Sequence, residues 1–209
     1  RPQAYALARV AAKQTLKKRP FDSQLLGALA MQSKSVVQMG TGEGKTLAAL
    51  MPLYLNALSG KGSHLVTVND YLAKTGIEEL RPAFEALGVS TGLVLKDQSP
   101  EEKRQAYNCD VTYVSNDTLG FDFLNDRTAI DASEQVQRAP HFALVDEIDQ
   151  VLLDEARVPL IISANRPDPN YQQQLEQGRF FRSVVSCLFP GQDYRVERKD
   201  STAYLTEIG

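Results

Sequence analysis

Residues Thr41-Gly42-Glu43-Gly44-Lys45-Thr46 combine a backbone able to curl with one cation and two hydroxyls. Glycines at 42 and 44 let successive N–H groups turn toward a common point, and a helix beginning at Lys45 adds its N-terminal dipole, an arrangement suited to phosphate oxygens. In such a loop Lys45 neutralises β/γ-phosphate charge and the Thr46 hydroxyl is placed to ligate Mg²⁺. The GxxxxGK[ST] pattern asks for glycine where Met39 stands, so the spacing alone is an incomplete match. Its position after the apolar run Ser35–Met39 supplies the strand, turn and helix order that the motif requires.

About a hundred residues later, Phe142-Ala143-Leu144-Val145 delivers the acids of Asp146-Glu147-Ile148-Asp149 at the C-terminal end of a predicted strand, the edge where parallel sheets bind ligands. Asp146 would hold Mg²⁺ directly or through water, and Glu147 would orient and polarise an attacking water. Acids after a strand can equally be a solvated helix start; the phosphate loop is what favours chemistry here. Upstream, Phe21 and Gln24 precede the loop in Arg19-Pro20-Phe21-Asp22-Ser23-Gln24. The Gln24 amide could pair with the N6 donor and N7 acceptor of adenine, although a lone glutamine carries little weight.

The elements that must position these groups alternate. Helices are expected over Pro2–Lys18, from Asp22 as N-cap to Met31, and over Lys45–Leu58 with a kink or irregularity at Pro52. Further helices are expected over Tyr71–Leu87, Ser99–Tyr107, from Asn116 or Asp117 to about Asn125, and from Ile148 to about Glu155. Strands are expected at Ser35–Met39, His64–Val68, Thr91–Leu95, Asp110–Val114, His141–Val145 and Pro159–Ser163. Short β-branched strands separated by helices predict an α/β fold, a mostly parallel, doubly wound sheet with helices on both faces. At Ala164 the character changes to a turn-rich stretch, followed by an expected helix from Tyr171 to about Leu188 and a β-hairpin of Tyr194–Arg198 with Ala203–Thr206. The sequence thus divides into 1–163 and a partial α+β second domain, 164–209, too small to hold a core alone.

Composition bounds the function. With 209 residues and 43% hydrophobic content the chain is globular, and 23 Lys+Arg against 26 Asp+Glu leave it at -3, with no global footprint for nucleic acid. Cys109 and Cys187 lack the spacing of a disulfide framework or a zinc site. No apolar run approaches the roughly 20 residues that span a bilayer, nor does the N-terminus have the layout of a signal peptide, so a cytoplasmic location is expected.

Taken together, several stretches closely resemble the SecA preprotein translocase ATPases. They are Arg19-Pro20-Phe21-Asp22 to Leu26-Gly27, Thr41 to Leu47, Val66-Thr67-Val68-Asn69-Asp70-Tyr71-Leu72-Ala73, Leu119 to Leu124, and Leu144-Val145-Asp146-Glu147 through Asp154-Glu155-Ala156-Arg157 to Ser163. The resemblance covers nearly all of residues 2–164 and weakens beyond. It implies a P-loop NTPase of RecA-like, superfamily 2 helicase type, a protein-transporting ATPase that binds ATP or ADP with Mg²⁺ and moves unfolded preproteins through a SecY-type channel, peripheral at the cytoplasmic face of the membrane. It further implies that Phe21 and Gln24 contact adenine and that Thr41, Gly42, Glu43, Gly44, Lys45 and Thr46 wrap the phosphates. By the same resemblance Thr46 and Asp146 serve Mg²⁺, Glu147 is the hydrolytic base assisted by Lys45, and residues 164–209 begin the preprotein cross-linking domain.

Two departures stand out: the family usually carries Arg at Gly40 and methionine near Lys18. In the family a second motor domain in cis supplies arginines to the γ-phosphate, contacts worth about 10³–10⁵ in turnover. The 209 residues alone are therefore expected to bind nucleotide weakly, to hydrolyse it hardly at all, and to bind membranes poorly or not at all. A nucleic-acid helicase and a non-catalytic nucleotide-binding adaptor share the fold and remain alternatives.

Overall fold

Alternation along four short runs decides which way the sheet's side chains point. In the computed structural model, which describes residues 2–161, 179, 188–189, 192–197 and 202–206, these runs are β1 (Ser63–Thr67), β2 (Thr91–Val94), β3 (Val111–Ser115) and β4 (Phe142–Val145). They form one parallel sheet in the order β2-β3-β1-β4, with Ser63 opposite both Val111 and Phe142. Leu65, Val111 and Tyr113 join one core, whereas Val66, Val94 and Val114 join a second on the opposite face. β1 and β3 are buried throughout, as parallel strands covered on both sides must be.

The larger core is capped by four helices: α1 (Pro2–Thr15), α2 (Asp22–Gln32), α3 (Lys45–Ala57) and α4 (Asp70–Ala86). α1 is alanine-rich and buries Ala4, Tyr5, Ala8, Ala11 and Ala12 at helical spacing. α2 begins one residue differently from expectation: Asp22 occupies the first helical position, where it pairs with Arg9 at 2.6 Å, and Phe21 is the flanking residue. α3 continues through Pro52. Leu50, Met51 and Leu53 are fully buried there, and burial of three such side chains at about 1.5–3 kcal/mol each outweighs the roughly 3 kcal/mol cost of an interior proline.

On the other face lie α5 (Pro100–Tyr107) and α6 (Asn116–Thr128). α5 starts with a reciprocal cap, the Ser99 hydroxyl accepting from Glu102 N–H at 3.3 Å while the Glu102 carboxylate accepts from Ser99 N–H at 2.8 Å. Tyr107 at its end donates to Asp122 of α6 at 2.9 Å, and Lys103 pairs with the same buried carboxylate at 2.7 Å. Beyond β4 the chain is helical over residues 148–154, close to the expected helix to Glu155, and Gln150–Asp154 within it form a π-helical turn.

Two expected strands do not form ladders. Residues 35–39 pair with no described strand, and Val36 is 75% exposed. Val37 and Met39 face Gly27 of α2 while Val36 and Gln38 are exposed, so the run alternates as a strand does but has no ladder partner among the described residues. Residues 159–161 are likewise exposed and unpaired, and 162–163 lie outside the described residues.

The chain splits into two compact units, residues 1–162 and 163–209. In the second, β5 (Tyr194–Glu197) and β6 (Thr202–Leu205) pair antiparallel with Tyr194 opposite Leu205, as the hairpin reading anticipated. The helix expected over 171–188 lies outside the described residues. Among the described residues no helix is long and apolar enough to cross a membrane. Cys109 is a free thiol, and Cys187 is outside the described set.

Candidate functional site

The glycine run lies between residues 35–39 and α3, as its sequence requires. Gly42 and Gly44 adopt φ of 83° and 80°, a left-handed conformation that favours glycine, and Gly44 caps α3 so that Lys45 opens the helix. A Cβ at Gly44 would also strike the Gln24 amide. Gln24, only 4% exposed, braces the loop from beneath: its Nε2 donates to Glu43 O at 2.7 Å and its Oε1 accepts from Phe21 N–H at 2.9 Å. The Glu43 carboxylate folds back to accept Gly40 N–H at 2.7 Å, placing an anion on a loop amide of the type that binds phosphate.

β4 carries the acids to the same place. Asp146 N–H extends the ladder by donating to Val66 O at 2.8 Å, which fixes the carboxylate at the sheet's C-terminal edge. The chain then turns sharply: Glu147 has φ of 51°, a strained conformation for a side chain of its type, and its N–H donates to Asp146 Oδ1 at 3.1 Å. That turn aims Glu147 at the loop, where Lys45 Nζ reaches its Oε1 at 3.0 Å across 102 residues of sequence. The hydrogen bond to Glu147 holds the Lys45 ammonium above its ordinary pKa against some desolvation, with further help from the charges of Asp146 and Asp149. Burial, followed by the adjacent Glu147 charge, holds Asp146 above the usual carboxylate range.

Lys45, Thr46, Asp146, Glu147 and Asp149 line one cleft of about 500 Å³. Thr41, Gly42 and Glu43 sit on the exposed rim of the loop, and Phe21 projects outward, 71% exposed, from the residue before α2. The structure therefore joins Lys45, Thr46, Asp146 and Glu147 in one cleft. It ties Gln24 to the loop itself.

The residues present fit a magnesium–phosphate ligand. A half-buried carboxylate made more basic by its surroundings, in one cleft with a hydroxyl at a helix N-terminus, gains from a divalent cation. Among the described residues no group of three acidic, histidine or cysteine side chains could hold a metal alone.

Two groups in the cleft escaped the sequence reading. The hydroxyls of Thr67 and Tyr113, both almost wholly buried, line it without a hydrogen-bond partner. Two acids were also quoted as motif members without a role. Asp70 accepts from the Ser115 hydroxyl at 2.6 Å and from Lys96 N–H at 3.3 Å, linking the ends of three strands. Glu155 accepts from Asn116 at 2.6 Å and Gln150 at 3.1 Å, tying the π-turn to the start of α6. Their positions at strand and helix ends were the only signal.

A parallel sheet with an acid pair at the C-terminal end of one strand, and a glycine loop that opens α3 beside it, defines a DEAD-like, P-loop domain of RecA-like architecture. The family model described as SecA DEAD-like domain matches residues 1–191, and the chain belongs to that family. It is 46% identical to the protein translocase subunit SecA of Bartonella tribocorum, 45% to that of Synechococcus sp. strain CC9605 and 47% to that of Nocardioides sp. strain JS614. In each comparison the whole chain is covered, and it spans only 22–23% of the relative's length.

Proposed function

We propose that the chain is the first motor domain of a protein translocase, binding ATP with Mg²⁺ and hydrolysing it to drive unfolded preproteins through a SecY-type channel. The observation that carries this reading is the 3.0 Å contact between Lys45 and Glu147, which brings the phosphate-binding cation and the water-activating acid into one cleft within a translocase family.

In this reading the amides from Gly42 to Thr46 and the α3 dipole receive the phosphates, and Lys45 exchanges Glu147 for the β/γ oxygens. Glu147, released, accepts a proton from the water it orients. Thr46 and Asp146 would hold Mg²⁺, whose chemistry is to neutralise charge building on the phosphate oxygens. Gln24 keeps one amide hydrogen and one carbonyl lone pair beyond its bonds to Glu43 and Phe21, the pair that an adenine edge would use, with Phe21 beside it.

Residues 1–163 would form the motor domain and 164–209 the start of the preprotein cross-linking domain. Partners would be the preprotein, the channel, and a second motor domain in cis whose arginines complete the site. The protein would work from the cytoplasmic face of the membrane as a peripheral component, and an excess of acidic over basic residues argues against nucleic acid as its track.

The test is Glu147→Gln in the complete polypeptide as its gene encodes it. ATP binding should persist while turnover falls by about 10²–10⁴. Unchanged turnover would remove Glu147 from the reaction, and steeply salt-dependent single-strand binding would favour a helicase.

A further inference from the structure

The first 31 residues carry six cations, Arg1, Arg9, Lys13, Lys17, Lys18 and Arg19, against the single carboxylate Asp22, although the whole chain is at -3. α1 and α2 concentrate part of that charge around an apolar groove. The groove has a volume of about 670 Å³, with Tyr5, Val10, Leu25 and Leu29 among its apolar lining. Every charged residue that lines it is basic: Arg9, Lys13 and Arg19. Arg9 is partly neutralised by Asp22, while Lys13 and Arg19 form no ion pair among the described residues.

α1 uses its alanine face and Tyr5 against the core, yet Val10, on another face, is 50% exposed, and Leu29 of α2 is 42% exposed beside it. Leu25 and Leu29 sit four residues apart on α2, so the floor repeats at helical spacing. An apolar floor read at this spacing suits the apolar face of another helix, and an all-basic rim selects acidic residues on its flanks.

We infer that this groove docks an acidic amphipathic helix contributed by the remainder of the same polypeptide. The relatives are four to five times longer than this chain, since it covers 22–23% of them, so the family supplies ample polypeptide for such a contact. Tethering raises the effective concentration to about the millimolar range, enough for a half-apolar groove of modest depth. This docking surface is independent of the nucleotide cleft.

The test is the rate at which maleimide labels Val10→Cys, read site by site by peptide mass spectrometry. The complete gene-encoded polypeptide is compared with the 209-residue chain. Labelling should be at least tenfold slower in the complete polypeptide, and Lys13→Glu with Arg19→Glu should restore the fast rate, as should 0.5 M salt in part. ADP binding, measured in parallel, should be unchanged by these substitutions, so a failure here is separate from a failure of the motor reading. Equal rates in the two polypeptides would overturn the proposal. So would protection that survives charge reversal, or protection that appears only on adding vesicles of anionic phospholipid.

Discussion

Asp146 shows what the site asks of a single residue. Its carboxyl is held above the ordinary value of 3.8, first by burial and then by the charge of Glu147. A carboxyl whose folded-state pKa is raised binds its proton more tightly in the fold. Its favourable contribution is present below the unfolded value and is lost as pH rises through the raised value. Ionised Asp146 therefore costs stability at neutral pH. Asp146→Asn should melt higher by roughly 2–4 °C at pH 7, with the gain shrinking as pH falls toward 4. The same variant should lose magnesium-dependent nucleotide affinity, measured calorimetrically. If it is destabilised at pH 7, burial of the charge is not what the fold tolerates for function. These residues were legible because each cluster is contiguous: Gly42 to Thr46, and Asp146 with Glu147. Their meeting across 102 residues and the buried hydroxyls of Thr67 and Tyr113 were not legible, since they exist only once β1, β3 and β4 lie side by side.

Among the elements, those fixed by local chemistry were readable. α5 follows from Ser99-Pro100-Glu101-Glu102, and α4 starts where the Asn69 side chain accepts Leu72 N–H at 2.9 Å. The order β2-β3-β1-β4 was not readable, because nothing local says which strand a crossover skips. Residues 35–39 failed for a related reason: a β-branched run becomes a strand only when a neighbour pairs with it. Gln24 is the element-scale case with a testable consequence, since it joins the start of α2 to the glycine loop through two bonds. Gln24→Ala removes both at a site 4% exposed and should cost about 1–3 kcal/mol in denaturant unfolding. If its spare donor and acceptor also meet adenine, ADP affinity should fall by about tenfold more than GDP affinity. Equal losses for the two nucleotides would leave Gln24 as a brace of the loop alone.

For the whole molecule the decisive property is linkage between nucleotide and the fold of residues 1–162. A ligand that binds the folded state alone stabilises it by about 2.7 kcal/mol at a hundred times its dissociation constant. For a domain of this size that should raise the melting midpoint by about 5–10 °C. Mg-ADP should produce this shift in the 209-residue chain, and Lys45→Ala should abolish it, because the loop then lacks its cation. Lys13→Glu with Arg19→Glu should leave it intact, since the α1–α2 groove shares no lining residue with the cleft. In the proposed reading, turnover needs a second motor domain. Lys45 and Glu147 sit in a cleft about 40% exposed at both side chains, so water is not excluded from them by these residues alone. Oriented charge is worth most where solvent is excluded, so closure by a second domain bearing arginines would act on a site already assembled. The 209-residue chain should therefore bind Mg-ADP with the stated shift yet turn ATP over at least about 10³-fold more slowly than the complete polypeptide. Comparable rates for the two, in a steady-state phosphate-release assay, would show that residues 1–162 already hold the whole catalytic apparatus.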